Sequence, residues 1–299
     1  MMHDEVPASA TESKPSVTFQ RYYADAGPDY AAWSPNFNMH FGYFRRGLNP
    51  FRLEPMLEQM NLEIFNRLQL DRAPSPSHVL DMGCGVSATL RSLARHLPAA
   101  ELTGITLVPW QIERGNEFNA ASPTTSRIRL VLGDYENAPF PSESFDAAYA
   151  LESSCYAHAA NKSALLSEAH RLLRPGGRLA IADGFLISPL RQHGLQHTIY
   201  RRLCDCWVIE TLGELSPFTA ELQRLGFRDI QVEHIQYRVA PSVFHVPWVT
   251  LKFLIGDVLF GSRKMTRARW NNILAPILLP FVSHPVGPMS YCLVSATKA

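Results

Sequence analysis

The stretch "HVLDMGCGVSATL", residues 78–90, opens as an apolar strand, ends that strand on Asp81, turns through Gly83 and Gly85, and restarts as a helix. A strand handed to a helix through so short a turn suits a parallel sheet covered by helices, where ligands bind outside the carboxyl ends of the strands. The two glycines let backbone approach a ligand closely. An ionised aspartate only accepts hydrogen bonds, so Asp81 suits a ligand ammonium and not a phosphate. No Gly-Lys-Ser/Thr follows, which excludes a P-loop, and the next strand ends in "LTGIT", without an acid for the ribose hydroxyls of a dinucleotide. A tight connection with no ligand carries the same glycines, so the turn has to be read with its neighbours.

Outward from the turn, the pattern predicts strand 78–82, helix 87–97, strand 101–106, helix 109–120, strand 128–132, strand 146–151, helix 160–173 and strand 178–184. Further on, "SPFTAELQRLGFRDIQVEHIQYRVA" (216–240) reads as helix then strand, and "SYCLVSATK" (290–298) as a last strand. The expectation is an α/β fold with a mostly parallel seven-stranded sheet flanked by helices. Upstream, Met56, Met60, Ile64 and Leu68 recur at four-residue spacing on one helical face, beyond the aromatic loop "NFNMHFGYFRRGLNPF" and before the break "APSPS". Residues 17–70 are therefore expected to form an amino-terminal helical cap, and residues 1–16, polar and small, a disordered tail. Residues 71–299 form the main domain. Within it, 240–286 fit no strand yet carry Phe244, Trp248, Phe253, Phe260, Trp270 and Phe281, which predicts a helical lid over the carboxyl ends of the strands.

A chain of 299 residues with 46% hydrophobic content buries one sizeable core, and 28 basic against 27 acidic residues give no nucleic-acid surface. A small-molecule partner is expected. The five cysteines are odd in number and scattered, and the amino terminus lacks a basic segment followed by an apolar one, so a reducing, cytoplasmic setting without disulfides is expected. "FLIGDVLFG" and "NNILAPILLPFVSHP" are too short or too interrupted to span about 30 Å of hydrocarbon, and no transmembrane segment is expected. The oligomeric state is left open.

Downstream of the turn come "VLGDYENAPFPSESFDAAYALESSCYA" and "EAHRLLRPGGRLAIADGFL". With "VLDMGCG" these resemble, in order and spacing over residues 17–299, the class I S-adenosylmethionine-dependent methyltransferases with their Rossmann-like fold. "TGITLVPWQIERGN" and "MHFGYF" are similar to the branch of sterol C-methyltransferases, tocopherol methyltransferases and cyclopropane-fatty-acid synthases. The resemblance implies S-adenosyl-L-methionine as cofactor. Asp81, Gly83, Cys84 and Gly85 would face its methionine part, Thr106, Leu107 and Gln111 its ribose, and Asp134 with Tyr135 its adenine, with Leu151 at the end of the fourth strand. Ser87 stands where the family more often has a third glycine and is expected to cap the following helix.

Methyl transfer from a sulfonium mainly needs alignment of the reacting atoms, so any base serves the acceptor. Glu152 matches the glutamate that sterol methyltransferases and cyclopropane synthases carry at this strand end. In an apolar site it can balance a cation or accept a proton; the alternative is an acid that only holds the amino-terminal loop. His40 and Tyr156 are further catalytic candidates, with His158 close behind, although His40 among Phe37, Phe41, Tyr43 and Phe44 equally suits a packed histidine. Cys204 and Cys206 lack a second ligand cluster, so no metal is expected. Arg45-Arg46 and Arg201-Arg202 are either a diphosphate site or solvated surface charge.

The aromatic loop and lid suit a hydrophobic acceptor and a carbocation. C-methylation of an isoprenoid-like alkene is the favoured expectation, ahead of O- or N-methylation of a specialised metabolite. Cyclopropane formation ranks lower, because Phe41 and Ala182 stand where that family has a bicarbonate-binding cysteine and histidine. A non-catalytic cofactor-binding protein is the remaining alternative.

Overall fold

The computed structural model describes residues 14–70, 77–121, 123–125, 127–258, 260–261 and 263–299. Of the expected tail, 1–13 lie outside the described residues, as does the break at 73–76, while 14–16 already belong to a helix. The strands are β1 His78–Met82, β2 Glu101–Thr106, β3 Ile128–Leu132, β4 Phe145–Leu151, β5 Leu173–Leu186, β6 Gly213–Glu214, β7 Phe227–His234 and β8 Met289–Lys298. The helices are α1 Lys14–Ala26, α2 Tyr30–Trp33, α3 Leu53–Leu68, α4 Ala88–His96, α5 Pro109–Ala120, α6 Ser163–Leu172, α7 Leu195–Trp207, α8 Leu215–Arg224, α9 Gln236–Val243, α10 Val246–Phe253 and α11 Arg267–Val282.

The sheet runs β3-β2-β1-β4-β5-β8-β7, the seven expected strands, with the two-residue β6 added on β5. β1 to β5 are parallel, and β8 is antiparallel to both β5 and β7. Strand order reverses between β1 and β4, so the crevice opens where the turn 83–85 meets Leu151 and Glu152. All seven residues of β4 are buried, as a central parallel strand covered on both faces requires. Alternate strand residues feed two cores: Leu80, Met82 and Ala148 pack under α6 and α8, while Val79, Ala147 and Tyr149 pack under α3 and α4.

Three local expectations change. β7 stops at His234, and Ile235, Val239 and Val243 turn the next stretch into α9, because their four-residue spacing packs on the sheet where alternation would not. α9 thus packs on the sheet, and Val246 is the first residue after it to line a cavity. The Pro-Gly-Gly segment does not precede β5 but bulges from it, since pairing passes from Phe145–Leu173 to Ala147–Arg178. α3, read as cap, buries Met56, Met60, Ile64 and Leu68 against the sheet, so only the chain before it reaches the site.

A clasp joins the lid to the amino-terminal segment. Buried Arg269 of α11 donates from Nε and Nη2 to Asp29 at 2.8 and 3.0 Å and also pairs with Asp257. Gln236–Asp257, with mean hydropathy 1.3 and 17% of its most apolar window buried, is long and apolar enough to cross a membrane by length and composition. Its inner residues Val246, Val249, Thr250 and Phe253 line a cavity of this protein.

Candidate active site

At the carboxyl end of β1 the backbone turns through Gly83 (φ +103°) and Gly85 (φ +50°), and the N–H groups of Gly83 and Cys84 both donate to Ile105 O. A Cβ on Gly83 would stand 2.3 Å from the Cβ of Ser153, whose hydroxyl donates to Met82 O at 2.5 Å. The turn is thus pressed against the end of β4. Asp81 is buried with one side-chain partner among the described residues, the Tyr149 hydroxyl donating at 2.8 Å, and burial lifts its carboxyl to about 7. A buried carboxyl facing a cleft with a single donor fits a ligand ammonium, which would supply donors and charge together.

At β2 the Thr106 hydroxyl donates to Gln111 Oε1 at 2.6 Å, fixing the amide. Asp134 accepts from Glu136 N at 2.8 Å, closing the turn after β3. The Tyr135 hydroxyl donates to Ser153 O at 2.8 Å, so its ring is held as a wall. Asp81, Gly83, Cys84, Gly85, Thr106, Leu107, Gln111, Asp134, Tyr135 and Leu151 all line one cleft of about 2890 Å³, counting its open mouth. Acceptors, a glycine cradle and a tyrosine wall in this order fit S-adenosylmethionine.

Ser87 departs from expectation. It is left-handed (φ 63°), its hydroxyl donates to Asn119 Oδ1 at 2.9 Å, and it makes no cap bond to α4. A backbone shape that glycine adopts freely turns the hydroxyl away from the helix start.

Beyond the cleft lies a second space of about 1200 Å³, counting its opening to solvent, between the strand ends and the lid. Its wall is aromatic, with Tyr23, Tyr30, Trp33, Tyr156, Trp207 and Tyr291 contributing, and among the described residues no lysine or arginine lines it. Its ionisable carboxyls are Asp29, engaged in the clasp, Glu152 and Asp183. Glu152, His40 and Tyr156 line both spaces and stand at their junction.

Glu152 is left-handed (φ +50°), and its Oε1 accepts from Phe41 N at 2.6 Å and from the Tyr291 hydroxyl at 2.7 Å. Oε2 has no hydrogen bond among the described residues. Burial pushes the carboxyl up to about 8, against the pull of those two donors. Glu152 therefore anchors the amino-terminal loop and also presents an oxygen to the junction. His40 directs Nδ1 to Phe41 O at 2.9 Å, and its buried Nε2 has no hydrogen bond among the described residues. Desolvation lowers it to about 4, so it is a neutral ring. The Tyr156 and Tyr23 hydroxyls are paired at 2.8 Å.

His158 lies on the exposed rim, paired with Glu136. Cys204 and Cys206 are buried on α7, and no group of three or more metal-ligating side chains occurs among the described residues. Arg45 and Arg46 are exposed, Arg201 donates to Glu210 O and Arg202 to Asn271 Oδ1, and none of the four lines either space. The diphosphate reading of these pairs is thereby withdrawn.

Sequence reasoning missed Tyr291, Tyr23 and Asp183. Asp183 accepts from Ser154 Oγ and Cys155 N, holding the segment after Glu152. The one available signal was a polar group inside each of two otherwise apolar strands, "AIADG" and "SYCLV".

A family model described as a methyltransferase domain matches residues 79–177. An O-methyltransferase of Pyrenophora dematioidea is 40% identical over 147 residues, 48% of this chain and 52% of that protein. A sterol 4-C-methyltransferase of Caenorhabditis elegans is 33% identical over 196 residues, 65% of this chain and 56% of that protein. The chain thus spans about half the length of these two relatives. A solved cyclopropane synthase of Mycobacterium tuberculosis superposes with TM-score 0.79 at 16% identity, covering 96% of this chain and 100% of that one.

Proposed function

We propose that this chain is a class I S-adenosylmethionine-dependent methyltransferase, in keeping with the methyltransferase-domain match over residues 79–177, and that it methylates an uncharged hydrophobic acceptor in the second cavity, by C-methylation of an isoprenoid-like alkene. The observation that carries the reading is the cavity wall: aromatic faces and buried carboxyls, with no cationic side chain. Aromatic faces attract a cation by about 0.5–2 kcal/mol each. Among the described residues the same wall offers a diphosphate no lysine or arginine.

S-adenosylmethionine, when bound, supplies an electrophilic methyl group on its sulfonium. The chain's own residues do the rest. Asp81 accepts from the ligand ammonium, and the turn at Gly83 and Gly85 holds the backbone clear. Tyr23 and Tyr156 wall the junction and exclude water. As the alkene π electrons form the new C–C bond, the bond from the methyl group to sulfur would break, S-adenosylhomocysteine would leave as a neutral thioether, and the positive charge would pass to the acceptor. Glu152, its carboxyl pushed up to about 8 by burial, has to give its own proton to solvent before the acceptor closes the site, and as the carboxylate it then faces that charge and takes on Oε2 the proton whose loss restores an alkene.

O-methylation is the second reading. Glu152 as base for a phenol favours it, together with the O-methyltransferase names of three relatives. Cyclopropane formation ranks lower, because Phe41 and Ala182 flank Glu152 through backbone bonds and neither has a side chain to hold an anion. The test is transfer of labelled methyl to neutral isoprenoid alkenes, phenols and prenyl diphosphates in parallel. Label in a new C–CH3 group of a neutral alkene is the expected result. A methyl ether would move the assignment to the second reading, and turnover of diphosphates alone would overturn both.

A further inference from the structure

The lid is apolar on two opposite faces. Along α10 and the π turn Leu254–Val258, the residues Val246, Val249, Thr250 and Phe253 face the cavity. Phe244, Trp248, Leu251 and Ile255, at spacings of four, three and four, form the opposite stripe and are exposed, Phe244 by 81% and Trp248 by 57%. α11 repeats the pattern, with Ile273, Pro276 and Leu279 lining the cavity and Trp270, Ile277 and Phe281 exposed. A helix that is hydrophobic on both sides belongs between two apolar phases. The inner phase is the cavity; the outer one has no partner among the described residues.

Charge identifies the outer phase. Residues 240–286 hold five Lys/Arg against one Asp, in a chain whose whole balance is 28 against 27. Arg269, Arg263 and Asp257 are consumed by the clasp with Asp29. Arg267 lines the cofactor cleft, whereas Lys252 and Lys264 are exposed and make no ion pair among the described residues, and the Lys252 ammonium lies 4.9 Å from the centre of the Trp248 ring. Exposed tryptophans and phenylalanines beside unpaired basic side chains are the composition of helices that lie in a lipid headgroup region. A second copy meeting this face about a two-fold axis would oppose these cations to themselves.

We propose that the outer face of α10 and α11 is a docking surface for an anionic lipid bilayer. The helices lie in the plane of the interface. They do not span it, because their inner stripe is committed to the cavity. The inference does not depend on which acceptor is methylated, and it places the outer wall of the acceptor cavity against lipid.

The test is co-sedimentation of the full chain with phosphatidylcholine vesicles, with and without phosphatidylglycerol. Binding to the anionic vesicles should exceed that to the neutral ones by at least about tenfold and weaken with salt. The double variant Trp248→Glu/Phe281→Glu should lose at least about tenfold of that binding. Its affinity for S-adenosylhomocysteine by calorimetry should stay unchanged, which reports an intact fold. A wild-type protein that stays in the supernatant, equal binding to both vesicle types, or a double variant that binds as tightly as wild type would overturn the proposal. A wild-type dimer dissolved by the same variant, without vesicle binding, would reassign the face to a second copy.

Discussion

The cofactor cleft and the acceptor cavity meet at Glu152, yet the chain builds them in opposite ways. Every cleft residue named from sequence falls from Asp81 to Leu151, each at the end of a strand or in the turn after it except Gln111, which stands in the first turn of α5. The cavity draws on Tyr23 before the sheet, Glu152 and Asp183 at its centre, Phe253 in the lid and Tyr291 in the last strand. Local chain geometry makes the first; closure between distant segments makes the second. Substitutions in the cleft should therefore act on cofactor binding and on the sheet, and substitutions in the cavity on turnover.

The largest expected effect is Gly83→Val. A side chain there meets Ser153 at 2.3 Å from backbone at φ +103°, so the variant should lose cofactor affinity by more than about 10³-fold. It should also lose about 3 kcal/mol of stability, because the end of β4 has to move. Calorimetry with S-adenosylhomocysteine and a melting curve read both. Unchanged affinity would break the assignment of the cleft.

Next is Glu152→Gln, which keeps shape and removes charge. The rate should fall by about 10², with cofactor affinity within a few-fold of wild type. If binding falls as much as turnover, the cleft and the cavity are not separable at this residue.

The same contrast explains what could be read in advance. Strand ends and glycine turns are local signals, so "VLDMGCG" and "VLGDY" led directly to Asp81, Gly83 and Asp134. Tyr291 and Tyr23 reach the site only because β8 enters the sheet beside β5 and α1 packs against α5 and α11, where Tyr23 meets Tyr156, and no spacing along the chain records either event. Ser87 and α9 failed for a subtler reason. In each, a local rule, the serine cap or the alternation of a strand, yielded to tertiary packing, which asked for a left-handed turn in one and a four-residue apolar spacing in the other.

Asp81→Asn keeps the acceptor for Tyr149 but removes the charge, and cofactor affinity should weaken by about tenfold. With its carboxyl raised to about 7, the folded chain holds a proton that the unfolded chain has lost, from about pH 4 to 7. Burial of Asp81 therefore costs the cofactor-free protein stability as pH rises through that window. At pH 8 the Asn variant without cofactor should melt above wild type, and at pH 4 the difference should vanish. A variant that melts lower at pH 8 would show that Asp81 holds the fold and not the ligand.

The smallest expected effect is Tyr291→Phe. The Tyr291 hydroxyl donates to Glu152 Oε1 and so favours the carboxylate; without it only Phe41 N remains to oppose burial. The Glu152 carboxyl, already pushed up to about 8, should rise further. Turnover needs the carboxylate, so activity climbs with pH through this group, and the midpoint of the rise should move to higher pH in the variant. At pH 7 the loss should be a few-fold, the scale of one hydrogen bond, and it should shrink at higher pH where both enzymes are ionised. A merely structural tyrosine would lower the rate equally at every pH. An unmoved profile would mean that Glu152 is not the titrating group, and the bet would pass to a transfer without a protein base.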